Sequence, residues 1–127
     1  MIMDATTPTP ALHRIRLELA RTPEFPEGDS SHAYEFVAPV TDDAHVDPKA
    51  WKKLKLRCRV SHFAGDEVEH GFLRHMGGGW RFDFGRSTDD EPLFKLDRHS
   101  LTPGAYISIT EHDGVLRPFR VVSVTPA

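Results

Sequence analysis

Eight histidines in 127 residues are the first feature of this chain with chemical content. Imidazole changes charge near neutral pH and is the commonest protein ligand for transition ions. Five of the eight, His62, His70, His75, His99 and His112, fall in the strand-rich part of the chain. A metal site needs donors that converge within about 2 Å of one ion, usually from neighbouring strands and one face. No H-x-H, H-E-x-x-H or H-x-x-E-H run supplies that convergence locally. His62 and His70 lie on consecutive strands and could face each other as cross-strand partners. No metal ligand is assigned from spacing alone.

The other reactive residue types give no catalytic assignment. The single cysteine, Cys58, excludes an internal disulfide and any zinc site built from several thiolates. Its neighbours in "LKLRCRV" are basic, which lowers a thiol pKa, but a small buried apolar role is expected. Ser100 follows His99 without the G-x-S-x-G string that aims a nucleophile. The glycines 77–79 in "HMGGGW" lack the Lys and Ser/Thr of a phosphate loop and join two strand-like runs, so a hairpin turn is expected. The pairs Asp42-Asp43 and Asp89-Asp90 sit in loop-like stretches, whereas acid–base work needs carboxyls in distinct environments of one cleft. The expectation is a protein that is not an enzyme.

The elements that must position these residues follow from periodicity. "HRIRLELA" alternates, with Ile15, Leu17 and Leu19 on one side and Arg14, Arg16 and Glu18 on the other, which is a half-buried strand. "TPEFPEGDSS" predicts a loop. "HAYEFVAPV" gives a second strand with Tyr34 and Phe36 on one face, closed by Pro39 or set at an edge. Asp47 as cap and Pro48 as first residue start a short helix over about 48–57, with Ala50, Trp51 and Leu54 as its apolar stripe. By Arg57 the period is two again, with Cys58, Val60 and His62 on one side. "VEHGFLRHM" and "WRFDFG" continue a meander, a short strand is expected near Phe94 and Leu96, and "RSTDDEP" reads as a loop. The last stretch, residues 101–124, is a hairpin about Asp113-Gly114. The fold expected is mainly β: a six- to seven-stranded antiparallel small barrel or curled sheet with one short α-helix, hiding its edges by closure. Residues 1–10 are expected to form a flexible tail and residues 11–127 a single barrel-like domain.

Charge is more informative in its distribution than in its total of -3. Residues 22–48 hold seven acids and no Lys or Arg, while residues 49–59 hold six bases and no acid. The predicted helix would bury Trp51 and present Lys49, Lys52, Lys53 and Lys55 as a patch for a partner. An acidic protein surface or a second copy fits that patch. Nucleic acid is not expected, because acids flank the lysines and no stacking aromatic is interleaved among them. The sequence has neither a membrane-length apolar run nor a signal-peptide pattern, and with a lone cysteine this predicts a cytoplasmic protein with no membrane partner.

Two resemblances involve the closing hairpin. Pro103, Gly104 and Tyr106, followed by Arg117 and Phe119, resemble the flavin-binding barrel of the ferredoxin reductases. In that family a Pro-Gly-Gln-Tyr type strand precedes an Arg-x-Tyr-Ser motif, whose Arg holds a flavin phosphate and whose Tyr packs on the ring. The resemblance places Arg117 in the first role and Phe119 in the second. Arg120 stands where the family has its Ser, and no phosphate-binding helix start can be placed in the chain, so no cofactor is expected. The "PGAYISI" and "FRVVSV" segments are also similar to those of small bacterial proteins for which the resemblance implies no activity.

The function expected is therefore a small binding or regulatory domain. The alternative is a small-ligand or metal-binding barrel using the histidine-rich half, with a pocket formed by His62, His70, Tyr106, Arg117 and Phe119.

Overall fold

A computed structural model of the chain describes residues 10–77, 79–85, 90–93 and 95–127. The described strands form one closed antiparallel barrel in simple chain order: β1 (Ala11–Leu19), β2 (Asp29–Val40), β3 (Arg59–Ala64), β4 (Glu67–Met76), β5 (Gly79–Asp83), β6 (Glu91–Leu93), β7 (Tyr106–Thr110) and β8 (Leu116–Pro126). Pairing of β1 with β8 closes the ring, so none of these strands is left as a sheet edge. A helix, α1 (Pro48–Leu54), followed by a 3-10 turn over Lys55–Arg57, lies in the β2–β3 connection.

The barrel has eight strands, not six or seven. The eighth strand is the short one, β6, which begins inside the run read as a loop. β6 is three residues long with Pro92 at its centre, so it has no room to show a period of two. Its inward residues, Glu91 and Leu93, are buried, and Leu93 pairs with Ile109 of β7. The strand expected near Phe94 and Leu96 is displaced to Glu91–Leu93; Leu96 opens a 3-10 turn and Phe94 lies outside the described residues. β2 also begins earlier than expected, at Asp29, inside the stretch read as a loop. The expected tail lies outside the described residues apart from Pro10, as do Gly78 and Asp89.

Period-two alternation sets the inside of the barrel. Ile15, Leu17, Tyr34, Phe36, Val60, Phe82, Ile107, Ile109, Phe119 and Val121 are all essentially inaccessible. Their partners on the outer wall include Arg16, which bonds Glu18 and Glu35, and Arg74, which bonds Asp83. Gly71 permits a close approach of β4 and β5: a Cβ there would lie 2.2 Å from the Asp83 carbonyl oxygen.

The two ends of the barrel differ. One end, where β2 runs into β3, is plugged by α1. Asp47 caps the helix by accepting from the Lys49 and Ala50 amides, an arrangement that contributes about 1 kcal/mol. Trp51 is buried edge-on to Trp80, and its indole N–H donates to the Leu73 carbonyl at 2.9 Å. Pro39, having no amide to donate, stands where β2 has left its pairing with β3, and its carbonyl accepts from Asp47. The opposite end is ringed by the β1–β2, β3–β4, β5–β6 and β7–β8 connections. Among the described residues no helix is long and apolar enough to cross a membrane.

Candidate functional site

The inward faces of the strands become polar at the end opposite the helix. Continuing the inner face of β2 outward from Phe36 gives Tyr34 and then His32. On β3 the residue paired with Tyr34 is His62, on the same inner face. The inner face of β7 continues past Ile107 and Ile109 into Glu111, Glu91 opens β6, and Arg117 lies two residues before the buried Phe119 on β8. Elements far apart in sequence thus deliver two histidines, two carboxylates, a phenol and a guanidinium to one end of an otherwise apolar barrel.

The geometry is tight. The Tyr34 hydroxyl stands 2.7 Å from both Glu91 Oε1 and Glu111 Oε2, and its single proton serves both. Its ring stacks on His62 with centroids 4.3 Å apart and meets Phe119 edge-on. His32 Nε2 is 2.6 Å from Glu111 Oε2, and His62 Nε2 is 3.5 Å from the same oxygen. Glu111 Oε1 accepts from Arg117 Nη1 at 2.9 Å, and Arg117 also binds Asp113 and Glu24. Glu91 Oε2 accepts from the His112 amide at 2.8 Å. His62 is 3% exposed, yet its Nε2 makes no hydrogen bond; its Nδ1 lies 3.8 Å from Glu69.

The electrostatics follow from these contacts. Burial works to raise the pKa of Glu111, but the bonds from His32 and Tyr34 together outweigh it and hold the carboxyl below its ordinary value. The bond to Glu111 raises His32 against the opposing effect of burial. For His62, which lacks such a bond, burial dominates and lowers the pKa despite the nearby carboxylates. Burial, reinforced by Glu91 and Glu111, raises Tyr34, so its phenol stays protonated. The site therefore holds a carboxylate facing one imidazole that favours its charged form and one that favours its neutral form. A neutral imidazole nitrogen and a carboxylate oxygen are both ligand atoms for a cation.

Three residues of the expected ligand pocket meet here: His62, Arg117 and Phe119. The other two do not. His70 is exposed on the outer wall, where its ring nitrogen bonds Ser61, and Tyr106 is 57% exposed on the outside of β7, opposite Arg120. Tyr106 and Phe119 thus lie on opposite faces of one wall, and the Arg117 guanidinium is engaged by three carboxylates. Sequence reasoning missed His32, Glu91 and Glu111. For His32 and Glu111 a signal was present, since each continues an inward period of two by one more step.

A concavity of ≈ 890 Å³ lies elsewhere. It lies on the flank beneath the β1–β2 loop, between Arg21 and Asp29 on one side and Tyr106 and Arg120 on the other, and contains none of the cluster residues. Its walls carry charges of both signs and include no buried polar side chain, so the chemistry points to the barrel end instead. At the helix end, Lys49, Lys52, Lys53 and Lys55 are all exposed, and among the described residues none of the four forms an ion pair. Lys55 lies 5.9 Å over the Trp51 ring. Cys58 is fully buried, and burial pushes its thiol up to about 11, which removes it as a thiolate nucleophile at neutral pH.

Compared with known protein families, curated proteins and solved structures, the chain matches none of them.

Proposed function

We propose that this protein is a binding module, not an enzyme, whose working end is the polar mouth opposite the helix, and that what it holds there is a small cationic ligand. The observation that carries this reading is the His62 ring nitrogen, buried without a hydrogen bond and turned toward the Glu111 carboxylate. A buried polar atom without a partner costs about 1–3 kcal/mol, a penalty that a bound ligand removes. The apolar part of the barrel is filled by Phe36, Phe82, Phe119 and the aliphatic side chains around them, which argues against a large apolar ligand inside. The mouth favours a cation: among the described residues its connecting loops carry Glu24, Glu27, Asp66, Asp90 and Asp113 against one base, Arg21, and an excess of one sign at a recess concentrates the opposite ion.

The test is a thermal-shift comparison of the full chain with Glu111→Gln, using a panel of small cations, amines and carboxylic acids. Stabilisation by a cationic probe that is lost in the variant supports the reading. If no probe stabilises the wild-type protein, or if only acids do, the mouth is not a cation site.

A second reading rests on the exposed lysines. Lys49, Lys52, Lys53 and Lys55 repel one another with no described acid paired to them, and Leu56 beside them is 77% exposed. This basic end fits an acidic protein surface, including the acidic mouth of a second copy. Nucleic acid is not the partner proposed, because Trp51, the aromatic among the lysines, is buried against the barrel. A bilayer is not proposed either: apolar side chains point inward and charged ones outward, the inverse of a lipid-spanning barrel. A cytoplasmic location remains part of this proposal. Changing Lys52, Lys53 and Lys55 together to Gln should abolish salt-sensitive association while leaving the fold intact; unchanged association would remove the docking role.

A further inference from the structure

We propose that His32, His62 and Glu111 form a mononuclear site for a divalent late first-row transition ion, of which zinc is the reference case. This rests on the reading of the mouth as a cation site and names the ligand.

The donor set is assembled by the fold. His32 Nε2, His62 Nε2 and Glu111 Oε2 come from β2, from β3 and from the end of β7, and lie within 4.8 Å of one another. Two imidazoles and one carboxylate suit zinc, iron, cobalt, nickel or copper; magnesium and calcium prefer oxygen ligands throughout. Bonds of about 2.0–2.2 Å at tetrahedral or octahedral angles place neighbouring donors roughly 2.8–3.6 Å apart. The separation of His62 Nε2 from Glu111 Oε2 is 3.5 Å, within that spacing. The His32 contact, at 2.6 Å, has to open by a few tenths of an ångström. The His32 side chain is 20% exposed at the rim, which gives it room to turn.

A histidine–carboxylate pair alone is an ordinary structural contact. The geometry of His62 distinguishes this one. Three buried side-chain atoms among the described residues make no hydrogen bond: His62 Nε2, Trp80 Nε1 and Arg81 Nε. Indole and guanidinium nitrogens only donate, so neither can take a cation. His62 Nε2 can offer a lone pair, and it is the one set against a carboxylate and a second imidazole.

The surroundings have the form of an outer ligand shell. Glu69 stands 3.8 Å from His62 Nδ1, too far for a hydrogen bond but near enough for its charge to favour a proton on that nitrogen, which leaves Nε2 free to coordinate. Arg117 holds the far oxygen of Glu111, and Tyr34 bonds the near one. These contacts orient the carboxylate and limit its rotation. Glu91 is not one of the ligands: it lies across the Tyr34 hydroxyl and its second oxygen is occupied by the His112 amide. Three protein ligands leave at least one coordination position for water or a small anion, reached past the partly exposed His32.

The experiment uses the full chain stripped with a chelator and dialysed, then titrated with Zn(II) by calorimetry and with Co(II) by visible absorption. One ion per chain is expected, with a Co(II) ligand-field spectrum that Zn(II) displaces. His62→Gln and His32→Gln, each shown by circular dichroism to keep the barrel, should each weaken binding by more than about 100-fold, beyond the range for outer-shell changes. His70→Gln, on the outer wall, should bind as the wild type does. Using folded glutamine variants in place of a Glu111 truncation keeps loss of metal distinct from loss of fold. No saturable binding by the folded wild type, or undiminished binding in both mouth variants, overturns the metal site. In that event, stabilisation by an amine probe that Glu111→Gln abolishes leaves the cation-binding mouth standing, whereas no response to any probe removes both.

Discussion

Replacing Tyr34 by Phe tests the centre of the polar cluster without disturbing its packing. The ring, with its contacts to His62, Phe82 and Phe119, is retained, and only the hydroxyl between Glu91 and Glu111 is lost. Those carboxylates are 0% and 4% exposed, so water does not readily replace the donor. A hydrogen bond to a charged group contributes about 1.5–3 kcal/mol net. One phenolic proton serves two carboxylates, so the loss corresponds to one such bond and not two, about 2 kcal/mol. For a chain of this length that is a fall in Tm of roughly 6–10 °C. The substitution should also move acid unfolding. The folded-state pKa of Glu111 is lowered, so its contribution is present above the ordinary carboxylate value and is lost as pH falls through the folded value. Tyr34 is one of the groups that lowers it, so Tyr34→Phe should shift the acid transition to higher pH. Urea unfolding at neutral pH and an acid titration followed by circular dichroism, both in chelator, measure the two effects. A variant within about 0.5 kcal/mol of wild type, the usual scale of a neutral surface change, with an unmoved acid midpoint, would refute the account of the cluster.

Two further outcomes follow from the same contacts. In metal-free protein, burial lowers His62, so its contribution is lost as pH falls below the ordinary histidine value; His32 is raised by Glu111, so its contribution is complete below that value and lost as pH rises through the folded one. The two slopes oppose each other near pH ~6.5, so on acidification from neutral His62→Gln should gain stability relative to wild type and His32→Gln should lose it; parallel profiles by chemical denaturation would show that neither histidine titrates as described. Gly71→Ala should cost about 3 kcal/mol or more, the top of the usual overpacking range, because its Cβ would lie 2.2 Å from the Asp83 carbonyl oxygen; a wild-type melting curve would mean that β4 and β5 separate freely.

The parts of the fold legible in the sequence were those with a clean period or a clean terminator. Ile15, Leu17 and Leu19 alternate with charged residues, and all three are buried. Asp47 and Pro48 marked a helix start, and Asp47 caps that helix. β6 was illegible because three residues with a central proline carry no period, and Glu91 enters the interior only because β5 and β7 flank it there. The site was half legible for a related reason. Cys58, Val60 and His62 were read as one face, which places His62 inside. The same extrapolation on β2, from Tyr34 back to His32, crosses from an aromatic run into "DSSH", where composition says loop. The strand continues past that compositional boundary because β3 pairs with it as far as His32, and β1 rejoins it at Asp29 across a bulge. Arg117 was read through a resemblance as a phosphate holder; its position shows three carboxylates around it, a relation set by the β7–β8 turn and the β1–β2 loop that no local motif encodes.

The energetics of the mouth bear on why these residues are there. Nothing in the closure of the barrel requires a charged layer: the same strands, a few residues further in, fill the interior with Phe36, Phe82, Ile107 and Val121. Buried ionic groups seldom stabilise more than apolar side chains of similar volume, since desolvation consumes most of the attraction between them. A leucine at position 62, 91 or 111 would continue the apolar pattern of its strand. Instead the cluster leaves one ring nitrogen of His62 without a hydrogen bond and sets it, with a second imidazole, against a buried carboxylate. The unbonded nitrogen is a cost to the free protein, which the proposed cation would relieve by taking the lone pair of His62 and the charge of Glu111. The unfavourable terms of the free protein and the ligand atoms of the proposed site are the same atoms, so destabilisation of the free state and affinity for a metal should rise and fall together across substitutions at His62.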